Sequence, residues 1–307
     1  MTDSGSASAK QSKIDRRVEA REKARQLRAE RKKRERRTRW LLQGGIALAA
    51  VAIIAVVALV IVNSIKPEGN GPRNMASDGI KIAEGLAVVQ TPGLGPSAEP
   101  VPSAANAPGV VDITIWIDYL CPLCGEFEAE NGELIRTLVE SGAATVEYHP
   151  IAILTSMSAG TQYSLRAANA AACVANYNPD AFFDFNEGMF ANQPDEGTEG
   201  LTNAEILEIA RAAGATSSSL ERCMEGKRFY DWVQAATTRA GNGPLPVEGA
   251  EVENVRGTPT VLVDGELYNP SYPFDSTEFS QFVLSAAGDE FAQKTSPSPS
   301  PSVTPSP

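Results

Sequence analysis

Two cysteines three positions apart are the residues of this 307-residue chain best suited to chemistry. Cys121 and Cys124 enclose Pro122 and Leu123, directly after the apolar, β-branched run Val110–Ile117, which predicts a buried strand. Proline is tolerated in the first turn of a helix, so a helix is predicted to begin at the motif. Unpaired N–H groups and the positive end of the helix dipole stabilise a thiolate there. The spacing places both sulfur atoms on one face, and the motif therefore predicts a redox-active dithiol.

The same spacing also occurs in structural disulfides and in one half of a metal site, and both alternatives stay open for this motif. A structural zinc site normally has four ligands. The other two cysteines, Cys173 and Cys223, lie far along the chain, and His149 is its one histidine. We therefore predict no metal and no cofactor. His149 is interpreted as a structural residue, and Trp116 and Tyr119 as packing around the motif.

The charge of the chain is divided unevenly between its ends. Residues 1–40 carry 15 of the 27 Lys and Arg residues but 6 of the 38 Asp and Glu residues, so the head has a net charge of +9 and the rest −20. Recognition of nucleic-acid phosphates needs a positive surface. The acidic body therefore argues against a nucleic-acid-binding domain.

A long apolar segment follows the basic head. Leu41–Val62 consists almost wholly of Leu, Ile, Val, Ala and Gly, which exceeds the ~20 residues that cross a bilayer. The Arg- and Lys-rich flank before it predicts a cytoplasmic N-terminus. We expect a basic cytoplasmic head at 1–39 and a single transmembrane helix at 40–65, with the rest of the chain outside the cell membrane. A cleaved signal peptide is the alternative, although its apolar stretch is usually shorter and its positive head is shorter too.

Two segments of low apolar content flank the predicted folded region. Residues 66–109 are interpreted as a tether, with one short β patch at Gly79–Gln90. Residues 294–307 repeat Ser, Pro and Thr and cannot bury apolar surface, so they predict a disordered tail.

Between these segments the sequence predicts a mixed α/β domain. Asp264-Gly265 predicts a two-residue hairpin turn, because such a turn requires a positive φ at both positions and these two residue types tolerate it. The predicted strands are Val110–Ile117, Ala144–Tyr148, Thr260–Val263 and Glu266–Tyr268, and the predicted helices are Pro122–Val139, Ala159–Asn176, Asp180–Ala191, Asn203–Ala213, Ser217–Gly241 and Ser276–Ala287.

Cys173 and Cys223 form a second candidate pair. Both lie inside predicted helices with no helix-opening signal, so a buried free thiol is one interpretation of each. An exported domain with an even number of cysteines favours the other interpretation, a structural disulfide between them.

The motif and a second one resemble a known family. Ile117-Asp118-Tyr119-Leu120-Cys121-Pro122-Leu123-Cys124, a helical insertion, and then Gly257-Thr258-Pro259-Thr260 resemble the DsbA-like thiol–disulfide oxidoreductases, most closely the membrane-anchored actinobacterial type. The resemblance implies a thioredoxin fold at 110–150 and 250–293, interrupted by a helical insertion at 151–249.

The resemblance also implies roles for individual residues. Cys121 would be the exposed nucleophile and Cys124 its buried partner, while Glu128, one turn further, would assist proton transfer. Pro259 would form a cis peptide bond facing the two cysteines, and Thr258 would pair with an extended substrate. Leu123 departs from the family pattern, because the strongly oxidising members carry histidine in that slot.

These observations predict an enzyme that donates the Cys121–Cys124 disulfide to unfolded exported proteins with free thiols. By resemblance, a quinone-linked membrane partner would reoxidise it. Two alternatives stay open: a reductase or isomerase of the same fold, and a metal carrier that uses the two cysteines without turnover.

Overall fold

The computed structural model describes residues 70–295. Its strands form one mixed sheet: β1 (Ile80–Ala83), β2 (Ala87–Val88), β3 (Val111–Ile117), β4 (Ala144–Pro150), β5 (Thr260–Val263) and β6 (Glu266–Leu267). Their order across the sheet is β2-β1-β4-β3-β5-β6. The central strands β3 and β4 run parallel, and all other neighbours are antiparallel.

Seven α-helices accompany the sheet within the described residues. They are α1 (Pro122–Glu140), α2 (Tyr163–Tyr177), α3 (Phe182–Ala191), α4 (Asn203–Ala212), α5 (Leu220–Glu225), α6 (Tyr230–Asn242) and α7 (Ser276–Thr295). Helices α1 and α7 pack against each other and against the sheet, and α2 to α6 form an insertion between β4 and β5. This arrangement is the thioredoxin fold with an inserted helical domain.

Strand β3 is buried on both faces of the sheet, which explains its continuous apolar run. Ile113 and Ile115 join the main core together with Phe127 of α1 and Phe279 of α7. Trp116 belongs to a second apolar cluster, in which it packs with residues such as Leu262. Because β3 is enclosed in this way, it is a rigid support for the loop that follows it.

Helix α2 is the buried centre of the insertion. Its alanines at 167, 168 and 170–172 are all buried. Small side chains allow α3, α5 and α6 to pack closely around it. At the start of α4, Thr202 and Glu205 form a reciprocal capping box, which satisfies two N–H groups of the first turn.

Most of the predicted elements are confirmed with shifts of a few residues, including the Asp264-Gly265 hairpin, whose φ angles are 48° and 86°. The single helix predicted at Ser217–Gly241 is wrong, because the chain breaks between α5 and α6. Gly226 ends α5, and Lys227 adopts a φ of 52°. The N–H of Phe229 donates to the buried Asn169 side chain (2.9 Å), which turns the Phe229 ring into the core.

Residues 73–78 lie in the predicted tether, but in the structure they are bonded to helices of the insertion. Arg73 and Asn74 hydrogen-bond to the end of α2, and Met75 is fully buried. Asp78 receives two hydrogen bonds from the Arg239 guanidinium of α6, at 2.7 and 2.8 Å. Asn74 and Asp78 have φ angles of 66° and 67°, so the polar residues typical of a linker here form tight turns instead.

Among residues 70–295, no helix combines the length and the apolar composition needed to cross a membrane. The basic head and the transmembrane segment predicted at Leu41–Val62 lie outside the described residues, as does the tail from residue 296 onward.

Candidate active site

The loop after β3 presents the Cys121 thiol. Asp118 organises this loop: its side chain accepts hydrogen bonds from the N–H groups of Leu120 and Leu154, both at 2.9 Å, and its carbonyl accepts the N–H of Cys121. Burial raises the pKa of the Asp118 carboxyl. Cys121 then forms the N-cap of α1, with Pro122 in the first turn as predicted.

The loop that carries the second motif lies against Cys121. Strand β5 pairs with β3 so that Thr260 stands opposite Trp116, which brings the residues just before β5 to the end of β3. The Thr258–Pro259 peptide bond is cis, as the sequence predicted. The Cys121 sulfur lies 3.0 Å from the Thr258 carbonyl oxygen, to which it donates a hydrogen bond when it is protonated. The two motifs, separated by more than 130 positions, therefore meet at one point.

The pKa values of the two thiols of the motif are shifted in opposite directions. The pKa of Cys121 is lowered to about 6, first by a hydrogen bond from the Cys124 side chain and also by the N–H groups of Cys124 and Leu123, against an opposing effect of burial. Burial raises the pKa of Cys124 well above its usual value. Both cysteines are buried: Cys121 keeps only 6% of its surface exposed, so it is not the exposed residue that the resemblance implied, and Cys124 has none. At neutral pH the pair therefore consists of one thiolate at the edge of the buried region and one protonated, fully enclosed thiol.

Glu128 lies in α1, one turn beyond Cys124, and its carboxyl group is buried. Asn186 of α3 donates to its Oε1 (3.3 Å), and the Tyr148 hydroxyl donates to its Oε2 (3.5 Å). Burial raises the pKa of Glu128 to about 7. Asn186 also accepts a hydrogen bond from the Tyr119 hydroxyl at 3.0 Å. A carboxyl group with this pKa can hold or release a proton near neutral pH.

The structure brings two further polar residues to this site that no pattern in the sequence indicates. Asn186 and Gln193 come from the insertion, and Gln193 donates from Nε2 to the carbonyl oxygens of Tyr119 (3.1 Å) and Cys121 (2.9 Å). Neither residue belongs to a local motif. Their positions depend on the docking of α3 against α1, for which the sequence carries no short-range signal.

Cys173 and Cys223 form a disulfide that joins α2 to α5, as predicted. Both residues are buried inside the insertion, apart from the Cys121–Cys124 pair.

The single histidine has the surroundings of a structural residue. His149 is buried and stacks on Trp116, with ring centroids 4.6 Å apart. Burial lowers its pKa to about 4. Gly79 makes room for it, because a Cβ there would lie 2.5 Å from Nε2 of His149. Among residues 70–295, no three His, Cys, Asp or Glu side chains are grouped as metal ligands would be.

Residues 104–283, more than half of the chain, match the family model described as Thioredoxin. The chain belongs to the thioredoxin family. Its fold is similar to that of the disulfide bond oxidoreductase DsbG from Mycobacterium tuberculosis, with 27% identity, a TM-score of 0.50 and coverage of 72% of this chain and 96% of that one. DsbA from the same organism is 28% identical, with a TM-score of 0.49 and coverage of 71% and 100%. These structural neighbours are thiol–disulfide oxidoreductases.

A curated relative matches over a shorter region. The serine/threonine-protein kinase PknE of Mycobacterium tuberculosis is 31% identical over 165 residues, which are 52% of this chain and 27% of the kinase. The chain thus spans about a quarter of the length of this relative.

Proposed function

We propose that this protein is a membrane-anchored, extracytoplasmic thiol–disulfide oxidoreductase that donates the Cys121–Cys124 disulfide to exported proteins. One observation carries the proposal: Cys121 has a lowered pKa and keeps a small exposed surface, while its partner Cys124 has a raised pKa and no exposed surface. The thiol–disulfide oxidoreductases to which the chain is similar support the same activity.

The reaction begins with the oxidised enzyme. A substrate thiolate attacks the sulfur of Cys121, the bond to Cys124 breaks, and Cys124 leaves as a thiolate that takes up a proton. Glu128, with a pKa of about 7, is suited to supply that proton. A second substrate thiolate then attacks the substrate sulfur of the mixed disulfide and releases Cys121. The substrate has lost two electrons, and the enzyme holds them as a dithiol.

The reduced enzyme needs an oxidant for the next cycle. By resemblance we propose a quinone-linked membrane oxidase, which would take two electrons and two protons from Cys121 and Cys124. The membrane segment at Leu41–Val62 would keep the domain close to such a partner and to emerging clients.

Single-cysteine variants test the exchange reaction. In Cys124→Ala, nothing inside the enzyme can release a substrate bound to Cys121, so mixed disulfides should accumulate on non-reducing gels of the producing cells. Cys121→Ala is the matched control and should trap few or none. Equal trapping by both variants would contradict the assignment of Cys121 as the nucleophile.

The direction of electron flow needs a separate measurement. A thiolate stabilised at a helix N-terminus favours the reduced form and raises the potential, whereas Leu123 offers no positive charge. We expect a potential between ~−270 mV and ~−120 mV, the thioredoxin value and that of the strongest oxidants. Equilibration of the full chain with glutathione buffers measures it. A value at or below −270 mV would favour a reductase.

The proposed topology has its own test. Protease added to intact protoplasts should remove the domain that contains Cys121, because Leu41–Val62 would place it outside. Full protection of that domain would reverse the proposed orientation.

A further inference from the structure

The Gln193 side chain links the helical insertion to the loop that carries Cys121. Its Nε2 lies 2.9 Å from the Cys121 carbonyl oxygen and 3.1 Å from that of Tyr119. A primary amide has two N–H bonds, so it can donate one to each carbonyl. A glutamate of the same shape would bring oxygen atoms against both acceptors. The two contacts therefore specify an amide at position 193.

Gly125 leaves the space that this amide occupies. A Cβ at position 125 would overlap Oε1 of Gln193 and lie 3.1 Å from its Cδ. Gly125 lies inside α1 and its φ is not in the left-handed region, so the backbone conformation does not require glycine. A glycine within a helix costs about 1 kcal/mol relative to alanine. A Cβ at position 125 would therefore force the amide end of Gln193 away from its place.

The end of α3 fixes Gln193 itself. Its N–H donates to the carbonyl oxygen of Phe190 at 3.1 Å. The Phe190 ring packs on the ring of Tyr119, with centroids 5.1 Å apart. The hydroxyl of Tyr119 is held by Asn186 of the same helix. Helix α3 and the residues just after it thus hold Tyr119 by its side chain and the active-site loop by its backbone.

We infer that Gln193 is a positioning residue for the exchange reaction, which fixes the carbonyls of Tyr119 and Cys121 in the loop that carries the reactive sulfur, and that Gly125 is a glycine because Gln193 needs the space. The inference rests on the proposed function. The N–H dipoles of the amide offset the partial negative charge of both carbonyls, and this favours a thiolate at Cys121. Loss of the amide should therefore make the reduced enzyme less stable relative to the oxidised one.

The test uses the full chain purified in detergent and four variants. Gln193→Leu removes the donor at similar size, Gly125→Ala displaces the side chain, and a third variant combines both changes. Asn192→Ala is the matched control, because Asn192 is the exposed neighbour that bonds back to Gly188 of α3. Two values are measured: the pKa of Cys121, from the pH dependence of its alkylation rate followed by mass spectrometry, and the equilibrium constant for reduction by glutathione.

Both single variants should raise the pKa of Cys121 by up to about 1 and lower the equilibrium constant in step by up to about tenfold, because one pKa unit is a tenfold change in the stability of the thiolate relative to the thiol. The combined variant should match Gln193→Leu, because both changes remove the same two hydrogen bonds. Asn192→Ala should keep the wild-type values. Gly125→Ala keeps the test available if Gln193→Leu does not fold, since alanine favours a helix.

Two results would overturn the inference. Folded variants with wild-type values for both quantities would show that Gln193 does not act on the sulfur. Additive shifts in the combined variant would show that Gly125 and Gln193 act separately. The pKa of Cys121 is measured without a client, so a shifted value in a protein that fails to oxidise clients would refute the proposed function and leave the positioning role in place.

Discussion

Replacing Glu128 by glutamine should stabilise the protein at high pH while impairing its chemistry. The change keeps the shape of the side chain and removes its charge. Asn186 can still donate to the remaining carbonyl oxygen, so the hydrogen bond at Oε1 is preserved. The cost of burying an ionised carboxylate disappears, and the Tyr148 hydroxyl, which donates to Oε2 of Glu128, accepts instead from the new amide N–H group.

The size of the effect follows from the pKa of Glu128. Burial raises this pKa from 4.5 to about 7, and at ~1.36 kcal/mol per pH unit the difference corresponds to about 3 kcal/mol. The folded protein therefore keeps the proton up to about pH 7, whereas the unfolded chain releases it near 4.5. Stability from this group is present below pH 4.5, falls as the pH rises towards 7, and is lost above it. Glu128→Gln has no such loss.

Urea unfolding at a series of pH values measures the effect. The Cys121→Ala, Cys124→Ala background prevents thiol exchange with the structural disulfide during unfolding. The gain in the free energy of unfolding for Glu128→Gln should grow from near zero at pH 4.5 to about 3 kcal/mol at pH 8. Glu133→Gln, on an exposed position of the same helix, is the control and should stay within ~0.5 kcal/mol of its parent. A gain that does not change with pH would refute the reasoning.

Three further perturbations have expected outcomes. Replacing both Cys173 and Cys223 by alanine opens a loop with a sequence separation of 50 and should lower the free energy of unfolding by roughly 4 kcal/mol, measured by urea unfolding, while the folded fraction keeps its exchange activity. The alkylation rate of Cys121 should rise with pH through a midpoint of about 6, followed by mass spectrometry, and a midpoint above 8 would contradict the thiolate assignment. Asp78→Asn keeps a residue that tolerates positive φ but weakens the ion pair with Arg239, and should cost about 2 kcal/mol in thermal or urea unfolding.

The parts of the fold that could be predicted from the sequence are those set by local patterns. The apolar run of β3, the proline after Cys121 and the Asp264-Gly265 turn each act over a few residues, and their elements agree with the structure. The cis peptide bond at Thr258–Pro259 was predicted from the resemblance to a known family and from the position of Pro259 before a predicted strand.

The differences arise where distant contacts decide the conformation. Nothing near Phe229 in the sequence shows that its N–H bonds to Asn169. Gly226 is the local sign that the predicted helix is interrupted before Tyr230, because glycine commonly ends helices. The residues around Asn74 have the composition of a linker, yet contacts with α2 and α6 place them in the fold. The sequence likewise gives no local sign that Gln193 bonds to the active-site loop, because Gln193 lies far along the chain, just after α3.

The buried position of the Cys173–Cys223 disulfide has a kinetic consequence. Thiol–disulfide exchange needs a thiolate to approach a sulfur atom directly, and both cysteines of this bond are buried, Cys173 completely and Cys223 except for 4% of its surface. The cross-link therefore offers little surface to the reactive Cys121 of its own chain or of a neighbouring copy, and unfolding of the insertion is the main route to its exchange. Such an enzyme is protected against self-inactivation, and its working lifetime in a thiol-rich mixture should follow the unfolding rate of the insertion rather than the concentration of thiols.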